Sequence, residues 1–154
     1  MSGLDVRLAR PDDRLKLIEL QRRASLATET GEILQKLLEQ PELFDIDDEL
    51  IAGNRVFVAH RRGHIVGFAT IVADEGDDAE LEGLFVEPTE WRRGVGRALV
   101  QQIEREAINW GATRLRVVAN EQAAPFYEAV GFSAIGEQVT PLGPLARVMV
   151  RAVR

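Results

Sequence analysis

Apolar and polar positions alternate over residues 4–9, where Leu4, Val6 and Leu8 are separated by polar neighbours, the period of a half-buried strand. Pro11, Asp12 and Asp13 then open a helix in which Leu15, Ile18 and Leu20 recur at helical spacing, with Leu17 beside them. Proline suits the first helical position, and acids suit the positive end of the helix dipole. Residues 24–31 read as the end of that helix or a loop. Residues 32–40 (Ile33, Leu34, Leu37, Leu38) predict a second helix closed by Pro41, and the acidic, intermittently apolar residues 42–53 a third short one.

From residue 55 the period changes to that of strands. Residues 55–59 form one, residues 60–64 a turn, and residues 65–73 another. A second turn at residues 74–78 leads into a strand at 79–86, so short connections imply an antiparallel meander. Val95, Leu99, Ile103 and Ala107 then share one face of a helix running from 95 to about 110, with Gly111 as its C-terminal cap. Residues 113–119 predict a strand parallel to the one ending at Val86, because a helix separates them. A helix at 121–130 capped by Gly131 and strands at 132–139 and 145–150 complete the chain. No linker or internal repeat interrupts it, so residues 1–154 are expected to form one mixed α/β domain.

A chain of 154 residues, 45% apolar and 29% charged, has the composition of an ordinary globular protein with a sizeable core. Its net charge of -6 argues against nucleic-acid or anionic-membrane binding, which need a basic surface. There is no cysteine, hence no disulfide, thiolate metal site or cysteine nucleophile. No apolar run approaches the length of a membrane span and the N-terminal residues contain no leader-like apolar segment, so a cytoplasmic location is expected.

The chemistry concentrates at residues 81–100, LEGLFVEPTEWRRGVGRALV. A strand (Leu84, Phe85, Val86) ends at Glu87-Pro88, and a Gly94-Val95-Gly96 turn then opens a helix. First-turn amides and the helix dipole favour an anion there, and glycine lets backbone amides close on phosphate oxygens. Arg92, Arg93 and Arg97 add cations of phosphate-binding geometry. A P-loop would need G-x-x-x-x-G-K-[ST], which is absent. A dinucleotide fingerprint would need a third glycine where Leu99 stands, and an acid nearer than Glu121. The remaining pattern, a strand and a proline before R-R-G-x-G-R-A-L, resembles the acyl-CoA signature of the GNAT N-acetyltransferase superfamily, [RQ]-x-x-G-x-[GA]. Trp91 departs from it, standing where the family has Arg or Gln.

A second stretch, residues 120–132 (NEQAAPFYEAVGF), is similar to the family's N-x-x-A-x-x-F-Y-x-x-x-G-F block at Asn120, Ala123, Phe126, Tyr127, Gly131 and Phe132. The resemblance implies a mixed sheet in which a meander precedes a splayed parallel strand pair flanked by helices, with acetyl-CoA as cosubstrate and no metal. It implies that Leu84, Phe85 and Val86 offer backbone groups to the pantetheine arm. Amides of Arg93, Gly94, Val95, Gly96, Arg97 and Ala98 would take the pyrophosphate. Arg92 or Arg93 would substitute for the Arg or Gln side chain that the family has in place of Trp91. Asn120 and Phe126 would complete the cofactor-binding set.

The same resemblance gives Tyr127, the single tyrosine, the role of general acid toward the departing thiolate, and a phenol of pKa ~10 does hold its proton at neutral pH. A primary ammonium must lose a proton before it can attack a thioester. Glu80 aligns with the glutamate that serves as base in some family members, and Glu82 lies two residues on, on the same strand face, where paired carboxylates can raise one pKa. His60 and His64 read as surface residues flanking a turn. With no cysteine, and with Ser2, Ser25 and Ser133 lacking an evident base, direct transfer in a ternary complex is expected over an acyl-enzyme.

The predicted function is N-acetyl transfer from acetyl-CoA to a small-molecule or peptide amine. Acids at Glu42, Asp45, Asp47, Asp48, Glu49, Asp77, Asp78, Glu80 and Glu82 suit a cationic acceptor. The alternative is a non-catalytic acyl-CoA-binding or sensing module. The C-terminal strands could support a homodimer, and no nucleic-acid or membrane partner is expected.

Overall fold

A computed structural model describes residues 3–140 and 145–153. In chain order it contains β1 (Leu4–Leu8), α1 (Arg14–Thr28), α2 (Gly31–Glu39), α3 (Asp48–Ala52), β2 (Val56–Arg61), β3 (His64–Ala73) and β4 (Asp78–Val86). There follow α4 (Val95–Asn109), β5 (Arg114–Ala119), α5 (Ala124–Ala129), β6 (Ser133–Val139) and β7 (Leu145–Ala152). Single 3-10 turns at Pro11–Asp13, Pro41–Phe44 and Pro88–Glu90 each begin at a proline, whose missing N–H is no loss there.

The strands form one sheet in the order β1-β2-β3-β4-β5-β7-β6. β1 with β2, β2 with β3, β5 with β7 and β6 with β7 pair antiparallel. β3 and β4 are neighbours joined by a short turn, a connection that only antiparallel strands allow. β4 and β5 pair parallel, as their connection through α4 requires, and this ladder covers Asp78↔Arg114, Ala79↔Leu115 and Glu80↔Arg116. Opposite charges face each other at both ends of it. Arg114 grips Asp78 with two hydrogen bonds of 3.1 and 2.9 Å, and Arg116 meets Glu80 at 2.9 Å. The mixed sheet, its meander and its parallel pair are those expected from the sequence.

The chain divides into two compact units, Met1–Thr70 with Gly83–Gln102, and Ile71–Glu82 with Ile103–Arg154. In the first, Leu17 and Leu20 of α1 pack with Ile46, Ile51, Val56, Val58 and Phe68 in one buried cluster. Asp13 ties the start of α1 to β1, accepting from both Arg7 guanidinium nitrogens and from the Arg10 amide at 2.8 Å. The Arg7 bond, opposed by desolvation, holds its carboxyl below the usual carboxylate range. In the second unit β7 lies between β5 and β6, and Arg151 of β7 bonds Glu104 of α4 at 3.0 Å. The predicted face of α4 is fully buried, with Val95, Leu99, Ile103 and Ala107 each at most 1% exposed.

Three boundaries differ from expectation. α1 runs to Thr28, because Ala24 continues the buried face of Leu17 and Leu20 with a side chain too small to mark the period. The turn expected at 60–64 shrinks to Arg62 and Gly63, both at positive φ (54° and 81°), the backbone of a two-residue hairpin turn. α5 is only Ala124–Ala129, because Asn120 first gathers the Ala123 and Ala124 amides into a turn. Among the described residues no helix is long and apolar enough to cross a membrane.

One glycine of β3 sets how closely α4 approaches the sheet within the first unit. A Cβ on Gly67 would lie 2.9 Å from Val95 Cγ1, 3.0 Å from the Phe85 carbonyl oxygen and 3.1 Å from Leu99 Cδ1. The Phe85 contact is backbone and cannot rotate away. Gly67→Ala is therefore expected to destabilise the protein by about 2 kcal/mol, the scale of overpacking in a filled interior, read as a lower urea midpoint with unchanged m.

Candidate cofactor cradle and acyl-transfer site

The β4–α4 junction is built by four local devices. Glu87 N–H bonds the Val66 carbonyl at 2.8 Å, so the chain leaves β4 still tied to β3. Trp91 folds back and donates its indole N–H to the Val86 carbonyl at 2.9 Å. Glu90 accepts from Arg61 of β2 at 3.1 Å and from Arg93 at 3.2 Å. Arg92 and Gly94 then take left-handed φ values of 64° and 86°, and α4 begins at Val95. Left-handed backbone is strained at Arg92 and unstrained at Gly94. No atom lies within 4 Å of where a Cβ would stand on Gly94, so the space above it is open. Gly96 differs from expectation: it needs no special backbone angle and lies inside the first turn of α4.

In that turn the Ala98 amide is bonded to the Gly94 carbonyl, whereas an α-helix leaves the amides before it without intrahelical acceptors. Arg92 and Arg97 are exposed and have no hydrogen-bond or ion-pair partner among the described residues, while Arg93 is shared with Glu90. An open glycine, an uncapped helix start and two uncommitted guanidinium groups suit a pyrophosphate. Leu84, Phe85 and Val86 sit just upstream and half-buried. Phe85 stacks obliquely on Phe68, with ring centroids 5.4 Å apart. The Val86 carbonyl is already engaged by Trp91, which the sequence did not reveal.

The remaining predicted residues lie in the second unit. Tyr127 of α5 is 6% exposed, its ring meeting Phe126 and Phe132 edge-on at 5.2 and 5.4 Å. Its hydroxyl has no hydrogen-bond partner among the described residues. Burial of the ring raises the phenol pKa far above its ordinary value and keeps it protonated. Asn120 turns its Oδ1 to the Ala123 amide at 2.8 Å, a bond that shapes the entry to α5.

The two carboxylates of β4 have separated. Glu80 is bonded to Arg116, which also reaches Asp74 at 3.8 Å and Gln138 of β6 at 3.1 Å. Glu82 is exposed and has no ion pair among the described residues, yet desolvation, then the charge of Glu80, raises its pKa. Several acids expected near an acceptor have other partners: Asp45 and Asp48 bind Arg14, Asp47 caps α3 through the Glu49 amide, and Asp78 holds Arg114. Among the described residues no cluster of three or more His, Asp or Glu side chains is placed to hold a metal ion. The Glu80–Arg116 pair depends on strand register, which no local pattern announces. The Glu90–Arg93 and Asn120–Ala123 contacts, each three residues apart, are local in the sequence.

A model of the acetyltransferase (GNAT) family matches residues 18–132, well over half the chain. The protein belongs to this family. An uncharacterized N-acetyltransferase of Mycobacterium tuberculosis is 31% identical over 91 residues, covering 57% of this chain and 58% of that protein's length. An IAA acetyltransferase of Azospirillum brasilense is 33% identical over 110 residues, covering 69% of each. Among solved structures, PaiA N-acetyltransferase of Thermoplasma acidophilum in complex with coenzyme A superposes with a TM-score of 0.76 at 18% identity, covering 97% of this chain and 98% of that one. A GCN5-related N-acetyltransferase from Rhodopseudomonas palustris reaches 0.80 at 23% identity, covering 99% and 98%. These two likenesses establish the GNAT fold.

Because Tyr127 is the only tyrosine, the phenolate absorbance of the folded protein reads this residue alone. No phenolate should appear as the pH passes ~10, where an unfolded tyrosine titrates. The sign for stability follows. Above that pH the unfolded chain releases a proton that the folded chain keeps, so stability falls with further rise in pH. A titration midpoint near 10 in the folded protein would contradict the buried environment.

Proposed function

We propose that the chain transfers an acetyl group from acetyl-CoA to a primary amine by direct attack with both substrates bound, residues 1–154 acting as a single catalytic domain. The observation that carries this reading is the open turn at Gly94, where the uncapped first turn of α4 stands between the uncommitted Arg92 and Arg97. Family membership supplies the chemistry that such a cradle serves. Amides of Gly94, Val95, Gly96 and Arg97 take the pyrophosphate, the expected Ala98 amide being already bonded to the Gly94 carbonyl, with Arg92 and Arg97 screening its charge. The backbone of Leu84 and Phe85 is left to the pantetheine arm, since the Val86 carbonyl has its partner in Trp91. Asn120 and Phe126, implied by the family block, complete the cofactor contacts.

For reaction, the neutral amine attacks the thioester carbonyl, the C–N bond forms, and the C–S bond breaks. The departing thiolate takes a proton from the Tyr127 hydroxyl, which its environment keeps protonated, and the second proton shed by the attacking nitrogen as the amide forms returns to the tyrosine oxygen. The ammonium proton must first pass to a carboxylate, directly or through water. Glu80, the base that the family resemblance implies, is bonded to Arg116 at 2.9 Å. Glu82, its pKa raised by desolvation and then by the charge of Glu80, takes up a proton more readily than an ordinary carboxylate and has no ion pair among the described residues. The pair therefore divides the work, with Glu82 accepting the proton and Glu80 tuning it.

The acceptor is an amine, either small or peptidic. One relative, 29% identical over 122 residues, is the glucosamine 6-phosphate N-acetyltransferase of Trypanosoma brucei brucei, which makes phosphorylated amino sugars a sensible arm of any acceptor screen. The proposal predicts that Tyr127→Phe lowers kcat about 10²-fold or more, with the KM for acetyl-CoA nearly unchanged. The assay is coenzyme A release with the best acceptor found. Loss of cofactor binding in the variant would instead make Tyr127 a packing residue. A wild type that binds coenzyme A but acetylates no amine would be a binding module.

A further inference from the structure

Within the second unit, the helix that carries Tyr127 is short and ends abruptly. α5 spans six residues, Ala124–Ala129, and the last carbonyls of a helix have no intrahelical donor. The chain turns back at once. Phe132 N–H bonds the Tyr127 carbonyl at 2.9 Å, and Val130 N–H reaches the same oxygen at 3.2 Å. This return brings the Phe132 ring edge-on to Tyr127, with centroids 5.4 Å apart. The packing of Tyr127 therefore depends on the reversal at Val130 and Gly131 staying closed.

A side chain from β7 closes it. Arg151 donates from Nη1 to the Val130 carbonyl at 2.9 Å, while its Nη2 bonds Glu104 of α4 at 3.0 Å. The arm of the same side chain lies along Gly131, where a Cβ would stand 3.5 Å from Arg151 Cδ and Nε. Gly131 holds a φ of 100°, a conformation that glycine adopts without strain. Arg151 is itself fixed by the β5–β7 ladder, in which it faces Leu115. A planar, permanently charged fork can meet a carbonyl and a carboxylate at once, and a cation suits a helix C-terminus. The Arg151 and Glu104 side chains are 30% and 20% exposed, so water competes less for this pair than for one on the open surface.

We propose that Arg151 is a positioning residue for the general acid: bridging Glu104 and the Val130 carbonyl, it locks the reversal after α5 and holds the Tyr127 hydroxyl in one place for proton transfer. The inference rests on the acyl-transfer reading above, in which Tyr127 protonates the departing thiolate. It gives Arg151 no contact with either substrate. Glu104 is then the counter-ion that aims the guanidinium.

Tyr127 is the only tyrosine, so NMR of protein carrying isotope-labelled tyrosine reads this ring alone, at neutral pH and without an acceptor. Arg151→Met is expected to move the ring signals toward those of an exposed tyrosine. It should also lower kcat about tenfold, as misplacement of a catalytic group does, with the KM for acetyl-CoA nearly unchanged. Arg151→Lys, which keeps a donor for the Val130 carbonyl, should recover most of that loss. Glu104→Gln should shift both readouts the same way by less, and it carries the test if Arg151→Met does not fold. A lower Tm with wild-type ring signals and kcat would make Arg151 a stabilising cap only and overturn the proposal. Moved ring signals with an unchanged kcat would overturn it as well. A raised KM for acetyl-CoA at constant kcat would give Arg151 to cofactor binding, against the proposal. A wild type that acetylates no amine would overturn the acyl-transfer reading, whatever the ring signals show, and the proposal with it.

Discussion

The first turn of a helix cannot bond its own amides, and the candidate cofactor site depends on keeping that turn uncovered. At the start of α4 nothing fills the space that a side chain on residue 94 would occupy. Around that opening the chain is tightly constrained. Trp91 is bonded back to β4, Glu90 joins the loop to β2, and Glu87 holds the end of β4 to β3. Gly67 lets α4 lie close enough for Val95 and Leu99 to be buried. A loop tied at three points, with an exposed, charged and open tip, suits an anion with little ordering cost. The strain carried by Arg92 at φ 64° is part of that arrangement.

In the second unit the candidate side chains differ in environment. Tyr127 is held neutral by its apolar surroundings. Glu80 is bonded to Arg116, and its charge adds to the desolvation that raises Glu82. Arg116 also touches Asp74 and Gln138, so one cation spans the β3–β4 turn, β4 and β6. A neutral phenol and a carboxyl raised above its ordinary range are two states that acyl transfer to an amine can use.

Legibility in the sequence followed the range of the interactions. The α4 face was plain because Val95, Leu99, Ile103 and Ala107 repeat at one spacing, and each is buried. The sheet was legible because three strands with short turns precede a strand–helix–strand unit. The full length of α1 was not, since Ala24 and Ser25 prolong the helix through packing that small residues do not advertise. The shortening of α5 turned on Asn120, whose Oδ1 shapes the helix entry. At the site itself the glycines and arginines were visible, but their commitments were not. Whether Arg93 or Arg92 is engaged, whether Glu80 or Glu82 is paired, and where the Trp91 indole points are set by interactions that depend on register and loop closure.

The central claim is that the β4–α4 turn binds an acyl-CoA. Thermal unfolding with acetyl-CoA, free coenzyme A and NADH in parallel tests it without any knowledge of the acceptor. A ligand at about 100 times its Kd adds roughly 2.7 kcal/mol, which for a chain of this length raises Tm by about 5 °C or more. The account predicts that rise with both CoA species and none with NADH. No shift with either at millimolar concentration would reduce the glycine turn to a turn, and a shift with NADH alone would assign the loop to a dinucleotide.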